Sequence, residues 1–364
     1  MNKTGEQLKK YFPSLLLKWN KEKNNRQMPW KGEKDPYKIW LSEIILQQTR
    51  VEQGLNYYNN FIKTFPDIHK LAKAPNEMVF KLWEGLGYYT RCRNLIATAR
   101  YISKELKGKF PSAYEDIKAL KGIGPYTAAA ISSFAFNLPH AVVDGNVFRV
   151  LARIFGIDKP VDSTEGKKLF TLLAEELLDR KQPGLYNQAI MDFGAVVCKP
   201  AVPLCSTCVF KKHCVAFLQN KINELPVKEK KITIRKRWFY YLVLEYKNEI
   251  AIRQRTEKDI WQDLYEFPLV ESAGEMDKEK ILQEAEKKKW LTKKNYTLLT
   301  VSPLFKQQLS HQLIAGQFIK VKLNQKPAVD KEWLWLTKNK AGSYAFPQFI
   351  NQYLRAKTGQ PSLF

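Results

Sequence analysis

Leu120-Lys121-Gly122-Ile123-Gly124-Pro125, running on into Tyr126-Thr127-Ala128-Ala129-Ala130-Ile131, is the stretch on which the reading of the fold turns. Two glycines flanking a β-branched apolar residue let the backbone turn tightly and face consecutive N–H groups outward. The alanine-rich run behind them predicts a helix whose N-terminus adds positive potential. Such a turn between two helical patterns can hold one phosphate through backbone groups without reading base sequence. An ordinary corner between helices would use the same residues, so the motif alone leaves both readings open. Beyond it, after Ala141-Val142-Val143, Asp144-Gly145-Asn146-Val147 opens another predicted helix. Asp144 is there as a helix N-cap, which needs no chemistry, or as a carboxylate held for a reaction.

Working outward, 364 residues exceed one typical domain, so two are expected. Hydrophobic residues make up 45% of the chain, enough for packed cores. Up to residue 217 the pattern is helical by period, with residues 35–60, 76–106 and 145–155 as clear segments. Leu225-Pro226-Val227-Lys228-Glu229-Lys230-Lys231 is charged and carries a proline, so residues 218–232 read as a linker. Residues 238–244 and 317–323 are strand-like, and residues 277–291 read as an amphipathic helix. The expected architecture is a mainly α domain over 1–217 and an α+β domain over 233–364. A net charge of +24 implies a polyanionic partner, nucleic acid first, with a membrane surface as the alternative. Leu15-Leu16-Leu17 is too short for a signal-peptide core or a spanning helix, so a soluble cytoplasmic protein is expected.

Cys198, Cys205, Cys208 and Cys214 are crowded in a way that suggests metal more than a disulfide framework. Structural zinc usually takes two close pairs, whereas four thiolates in one loop can also hold a [4Fe–4S] cluster; spacing leaves the two comparable. Lys199, Lys211, Lys212 and His213 around them fit a phosphate-facing loop or a solvated face equally. Cys92 stands apart and reads as a small buried hydrophobe.

Ile39-Trp40-Leu41 and Ile44-Ile45-Leu46 predict a buried helix carrying one carboxylate, Glu43. Periodicity puts Glu43, Gln47 and Arg50 on one face. A glutamate there is desolvated, which favours its protonated form near neutral pH; the alternative is a buried ion pair with Arg50.

Taken together, hairpin, helix and an aspartate at a helix start resemble the helix-hairpin-helix glycosylase superfamily, with Val142-Val143 replacing the usual Gly-Pro before Asp144. Residues 36–49, 83–89 and 187–195 resemble the MutY family closely, and the likeness runs nearly continuously over residues 29–214. That resemblance implies a [4Fe–4S] cluster on Cys198, Cys205, Cys208 and Cys214, and removal of adenine mispaired with 8-oxoguanine or guanine in double-stranded DNA. It implies Glu43 as the general acid that protonates adenine and Asp144 as the group that stabilises or transiently bonds the sugar cation. Tyr126 and Asn146 would orient Asp144 and the sugar. Arg26, Trp30 and Gln188 would line the adenine pocket, Gln188 departing from an acidic residue in some relatives. Gln48 and Tyr88 would wedge into the base stack, Thr49 would also contact DNA, and Lys121, Gly122, Ile123 and Gly124 would hold the phosphate. Bifunctional relatives carry a lysine nucleophile where Tyr126 stands, and a tyrosine forms no Schiff base, so a monofunctional enzyme follows.

Residues 233–364 are similar to the Nudix-like domain of that family through residues 261–268, but lack the paired glutamates that a pyrophosphatase needs for Mg²⁺. Leu309-Ser310-His311 matches the family's contact to 8-oxoguanine; without the resemblance, Ser310 and His311 are a polar strand end. A monomer, nucleoid-associated and of bacterial type, completes the expectation. Two rivals stand beside it: a bifunctional glycosylase/lyase for oxidised pyrimidines, and a non-catalytic DNA-binding protein using its cluster for structure or electron transfer.

Overall fold

The computed structural model of the chain describes residues 3–229, 233–327 and 333–358. Residues 230–232, the end of the stretch read as a linker, lie outside the described residues, as do 1–2, 328–332 and 359–364 of the two expected domains. Two compact units are present, Met1–Lys73 with Arg93–Lys230, and Ala74–Cys92 with Lys231–Phe364. A division at 218–232 would leave 74–92 with the first part of the chain; its packing groups it with the second.

The helices run α1 (Lys3–Lys23), α2 (Pro36–Leu46), α3 (Val51–Thr64), α4 (Ile68–Lys73), α5 (Asn76–Trp83), α6 (Tyr89–Lys104), α7 (Tyr114–Ala119), α8 (Pro125–Phe136), α9 (Gly145–Phe155), α10 (Thr164–Leu177), α11 (Pro183–Val196) and α12 (Val215–Leu218). α9 follows its sequence pattern from end to end. Asp144 caps it by accepting the Val147 N–H at 2.8 Å, and Gly156, at φ +66°, ends it. In α1, Leu8, Phe12, Leu16 and Trp19 form one stripe against the first unit's core. Phe12 stacks on Phe210 at 4.7 Å and Trp19 meets Phe193 edge-on at 4.9 Å. Each such side chain contributes about 1.5–3 kcal/mol on burial.

Two of the long helical segments are broken where the period gave no sign. Residues 35–60 become α2 and α3, because Gln47 leaves the helix at ψ +116°, Gln48 sits at φ +56°, and Thr49 N–H bonds the Leu46 carbonyl at 3.1 Å. Arg50 therefore starts a new helix and does not share a face with Glu43. Residues 76–106 break over Glu84–Tyr88, where Gly85, Gly87 and Tyr88 all have positive φ. The charged stretch before residue 230 does not hang free. Leu225 is buried and its carbonyl accepts from Arg153 Nε at 3.0 Å, while Val227 accepts the Val161 N–H at 3.0 Å.

The second unit is built on β1 (Arg235–Tyr246), β2 (Glu249–Gln254), β3 (Tyr265–Glu266), β4 (Leu269–Ser272), β5 (Tyr296–Val301), β6 (Phe305–Gln308), β7 (Gln312–Leu323) and β8 (Leu334–Thr337), with helices α13 (Lys278–Lys287), α14 (Lys338–Ala341) and α15 (Gln348–Thr358). β1 and β7 pair in parallel at the centre of the sheet; β4 and β2 pair with β1, and β5 and β6 with β7. Residues 238–244 are buried on both faces of β1, which is why they read as an unbroken apolar run. Gly316 faces Phe239 across the parallel pair, and a Cβ there would lie 1.7 Å from the Phe239 carbonyl oxygen. Among the described residues no helix is long and apolar enough to cross a membrane.

Gly316→Val is expected to destabilise the C-terminal unit by at least ~2 kcal/mol, because backbone, not a mobile side chain, must move. Urea unfolding followed by near-ultraviolet circular dichroism measures it; a wild-type midpoint would contradict the close approach.

Candidate active site

In the first unit, α2, the N-terminal end of α8, the start of α9 and α11 surround a cavity of about 450 Å³, in the range that receives small ligands. Glu43 lies on α2, beside the buried Ile39, Trp40, Leu41, Ile44 and Ile45, and is 7% exposed. Burial is the main reason its carboxyl is pushed up to about 7; the nearby Asp144 charge adds to this and a hydrogen bond with Tyr126 opposes it. Arg50 is not among the groups acting on it, so the expected alternative of a buried Glu43–Arg50 pair is set aside. Asp144 also titrates above the ordinary aspartate range through burial, but more donors hold its anion: the Val147 N–H at 2.8 Å, Asn146 Nδ2 at 2.7 Å, and the nearby Arg149 charge. Two carboxyls on one cavity are thus differently supported, the arrangement that separates an acid from an anion. Tyr126 lines the same cavity, its phenol pushed far up by burial and by both carboxylates, so it is a neutral donor.

Arg26, Trp30 and Gln188 line the same cavity, together with Met28, Leu46, Gln47 and Met191. Sequence reading passed over what holds this wall. Asp192 is fully buried and its carboxylate accepts from Asn24 Nδ2 at 2.8 Å, Arg26 Nη1 at 2.9 Å, Lys31 Nζ at 3.1 Å and Gln188 Nε2 at 3.0 Å. Its i,i+4 spacing from Gln188 on a helical pattern was the one available signal. The lysine and the asparagine come from the segment between α1 and α2, beyond the reach of periodicity.

Asn146 carries a further connection. Its Oδ1 accepts from Arg149 Nη2 at 2.8 Å, and the same buried guanidinium bonds Gly194 O at 2.7 Å and, through Nε, Cys198 O at 2.7 Å. One turn further along α9, Arg153 bonds the carbonyls of Lys199, Pro200 and Leu225 and comes within 3.6 Å of Cys198 Sγ. Cys198, Cys205, Cys208 and Cys214 all line one small pocket walled by Ile154, Phe193, Val197, Pro203, Leu204 and Phe217. None is in a disulfide. Among the described residues no three ligand side chains close on a single metal ion. Four thiols around a shared apolar space, backed by a cationic guanidinium, are a donor set that fits a thiolate-bound metal group.

The hairpin sits between α7 and α8. Gly122 adopts φ +81°, and a Cβ there would strike Asn94 at 2.6 Å. Lys121, Gly122 and Gly124 are exposed, whereas the Ile123 side chain is buried and its N–H bonds the Leu120 carbonyl at 3.1 Å. Of the four expected contacts, Ile123 therefore anchors the turn. Gln48 and Thr49 lie on the break between α2 and α3 at the cavity rim. In the second unit, Tyr88 is 43% exposed and its hydroxyl is hydrogen-bonded to Ser310 Oγ. Ser310 and His311 are exposed in the tight turn between β6 and β7, closed by Leu309 N–H on Gln312 O at 2.7 Å, so they are a hairpin tip and not a strand end. A cavity of about 570 Å³ in that unit is lined by both charges, but its Asp259 and Glu271 are paired with Arg237 and its Glu257 with Arg253.

Residues 41–175 match the HhH-GPD superfamily base excision DNA repair protein family, and residues 239–356 the NUDIX domain. The adenine DNA glycosylase of Buchnera aphidicola subsp. Baizongia pistaciae (strain Bp) is 37% identical over 303 residues, covering 82% of this chain and 83% of that protein. The chain belongs to the adenine DNA glycosylase family. The human adenine DNA glycosylase is 41% identical across 56% of the chain and 39% of its own length. Among solved structures, a thermostable thymine-DNA glycosylase superposes with a TM-score of 0.55 at 29% identity, covering 59% of the chain and 98% of that structure. Endonuclease III bound to DNA shares the fold, with a TM-score of 0.52 at 18% identity over 60% of the chain and 99% of that structure. Membership of this family accounts for a helical unit followed by a sheet-containing one.

Because Glu43 titrates higher in the folded chain than unfolded, its contribution to stability is intact below about 4.5 and is lost as pH rises towards about 7. Glu43→Gln removes that loss. The variant is expected to gain on the order of 3 kcal/mol relative to wild type between acid and pH 8. Denaturant unfolding of both proteins at pH 5 and pH 8 measures the difference; a pH-independent gap would mean Glu43 ionises normally.

Proposed function

We propose that the chain is a monofunctional adenine DNA glycosylase of base excision repair that removes adenine mispaired with 8-oxoguanine, or with guanine, from double-stranded DNA. The observation that carries this reading is the pair Glu43 and Asp144 on one cavity that Tyr126 also lines. The adenine is unstacked at a cost of a few kcal/mol and enters the cavity. Arg26, Trp30 and Gln188 hold it, and Glu43 gives its proton to the ring as the N-glycosidic bond breaks. Such general acid catalysis is worth about 10²–10⁴-fold. Asp144, oriented by Asn146 and Tyr126, stabilises the sugar cation, and water adds at the anomeric carbon to leave an abasic site. Tyr126 offers no amine, so no Schiff base forms there.

Gln48, Thr49 and Tyr88 hold the opened stack, and Lys121, Gly122 and Gly124, set by buried Ile123, take a phosphate. Ser310 and His311 read the lesion strand: a hydroxyl and an imidazole can bond the N7–H and O8 edge that distinguishes 8-oxoguanine from guanine. In this reading the catalytic domain is 1–217 and the lesion-recognition domain 233–364. Cys198, Cys205, Cys208 and Cys214 would hold a [4Fe–4S] cluster, which when bound cross-links the loop after α11. The +24 charge supplies long-range attraction to DNA. A monomer in the cytoplasm, on the nucleoid, fits this work.

End-labelled duplexes carrying adenine opposite 8-oxoguanine or guanine, or carrying thymine glycol, test the reading. Wild type is expected to convert the adenine substrates to a site that breaks only after alkali, with no borohydride-trapped complex. Asp144→Asn and Glu43→Gln should each lose excision by at least about 10²-fold while still binding the lesion duplex. Full single-turnover excision by either variant, or efficient trapping of the wild type, would remove the assignment. Anaerobically purified protein should carry about four irons and four sulfides per chain; zinc without sulfide would rule the cluster out.

A further inference from the structure

The segment Ala74–Cys92 interrupts the helical part of the sequence yet packs as part of the C-terminal unit. One side chain of the segment joins it to the C-terminal unit at several points. Glu84 ends α5, and its Oε1 accepts both the Phe346 N–H at 2.7 Å and Asn351 Nδ2 at 3.0 Å. Its Oε2 pairs with Lys81 Nζ at 2.7 Å, and that ammonium also bonds the Tyr344 carbonyl at 3.0 Å. One carboxylate therefore meets the loop before α15, α15 itself, and the lysine that grips the same loop.

The turn that follows is strained. Gly85, Gly87 and Tyr88 lie at φ +91°, +77° and +49°. A left-handed tyrosine costs roughly 1–2 kcal/mol and persists only where its surroundings impose it. Trp83 Nε1 on Gly87 O at 2.9 Å and Gly85 N–H on Tyr89 Oη at 3.2 Å close the turn. The Arg91 guanidinium lies 5.3 Å from the ring centres of both Trp83 and Tyr88. The outcome is a half-exposed phenol bonded to Ser310 at the β6–β7 tip.

We propose that Glu84 is a positioning residue for lesion recognition: it clamps this turn to the C-terminal fold, so that Tyr88 and Ser310 meet the DNA as one preset pair. The proposal rests on the reading given above, of Tyr88 at the opened stack and Ser310 at the lesion strand. It makes discrimination between 8-oxoguanine and guanine depend on a carboxylate that touches neither DNA nor the reacting atoms. A purely structural Glu84 would affect stability alone, and its exchange with Lys81 at the surface is a small part of that.

The test uses the full chain and the ratio of single-turnover excision rates for adenine opposite 8-oxoguanine and opposite guanine, at one salt concentration. Glu84→Ala is expected to lower the ratio by about fivefold or more, as loss of a paired acceptor at two donors would. Glu84→Gln keeps an oxygen for both N–H donors and should restore the ratio to within about twofold of wild type. Combined with Tyr88→Ala, Glu84→Ala should add nothing further, because both act through one contact. Asn351→Leu removes one donor without touching Glu84 and should give a smaller drop, which keeps the proposal testable if Glu84→Ala folds poorly. A wild-type ratio in Glu84→Ala or Asn351→Leu, while Tyr88→Ala loses it, overturns the clamp alone. A wild-type ratio in Tyr88→Ala overturns the lesion reading of Tyr88, and the clamp with it.

Discussion

A carboxylate at the start of a buried helix is the constraint on which the helical unit depends. Asp144 is partly buried on the cavity wall, and a carboxylate there is tolerated only when donors converge on it. The first turn of α9 supplies them: the Val147 N–H, which any N-cap would use, and the Asn146 amide. That amide is itself held by Arg149, and Arg149 by the Cys198 and Gly194 carbonyls. α11 must come close for this to work, and Gly194 permits it, since a Cβ there would lie 2.6 Å from Asn146 Cβ. Helix capping, helix packing and the cysteine loop are thus one set of contacts seen from three sides.

The same logic runs in reverse at Glu43. Burial there outweighs a hydrogen bond with Tyr126, so the carboxyl keeps its proton to about neutral pH. Asp144 is thus met by more donors than Glu43, a difference set by where each residue sits in its helix. Glu43 is within α2, where backbone N–H groups are already bonded. Asp144 precedes α9, where they are free.

Polar residues with no chemistry of their own recur as anchors in both units. Asp192 gathers Asn24, Arg26, Lys31 and Gln188 behind the cavity. Glu84 gathers Phe346, Asn351 and Lys81 behind an exposed tyrosine. Gln48 and Tyr88 are both non-glycine residues with positive φ, at the two helix breaks that periodicity did not reveal. Strain at such positions is expected where a side chain must leave the surface of a helix and reach a partner.

By itself the sequence determined the local elements whose cause is local: the Gly122 turn, the Asp144 cap, the helix over residues 145–155, the apolar β1 strand, and the crowding of four cysteines. It also placed a carboxylate on the apolar helix α2. These follow from backbone sterics, capping and alternation, which act within a few residues. Tertiary structure alone decided that Arg50 faces away from Glu43, that Ile123 anchors the hairpin, that Ser310 tips a turn, and that residues 74–92 pack with the C-terminal sheet. It alone brought Asn24, Lys31 and Gln188 to Asp192, and Phe346 to Glu84. Each of these depends on which donors and acceptors remain unpaired once distant segments meet, a sum over the folded chain that no local period encodes.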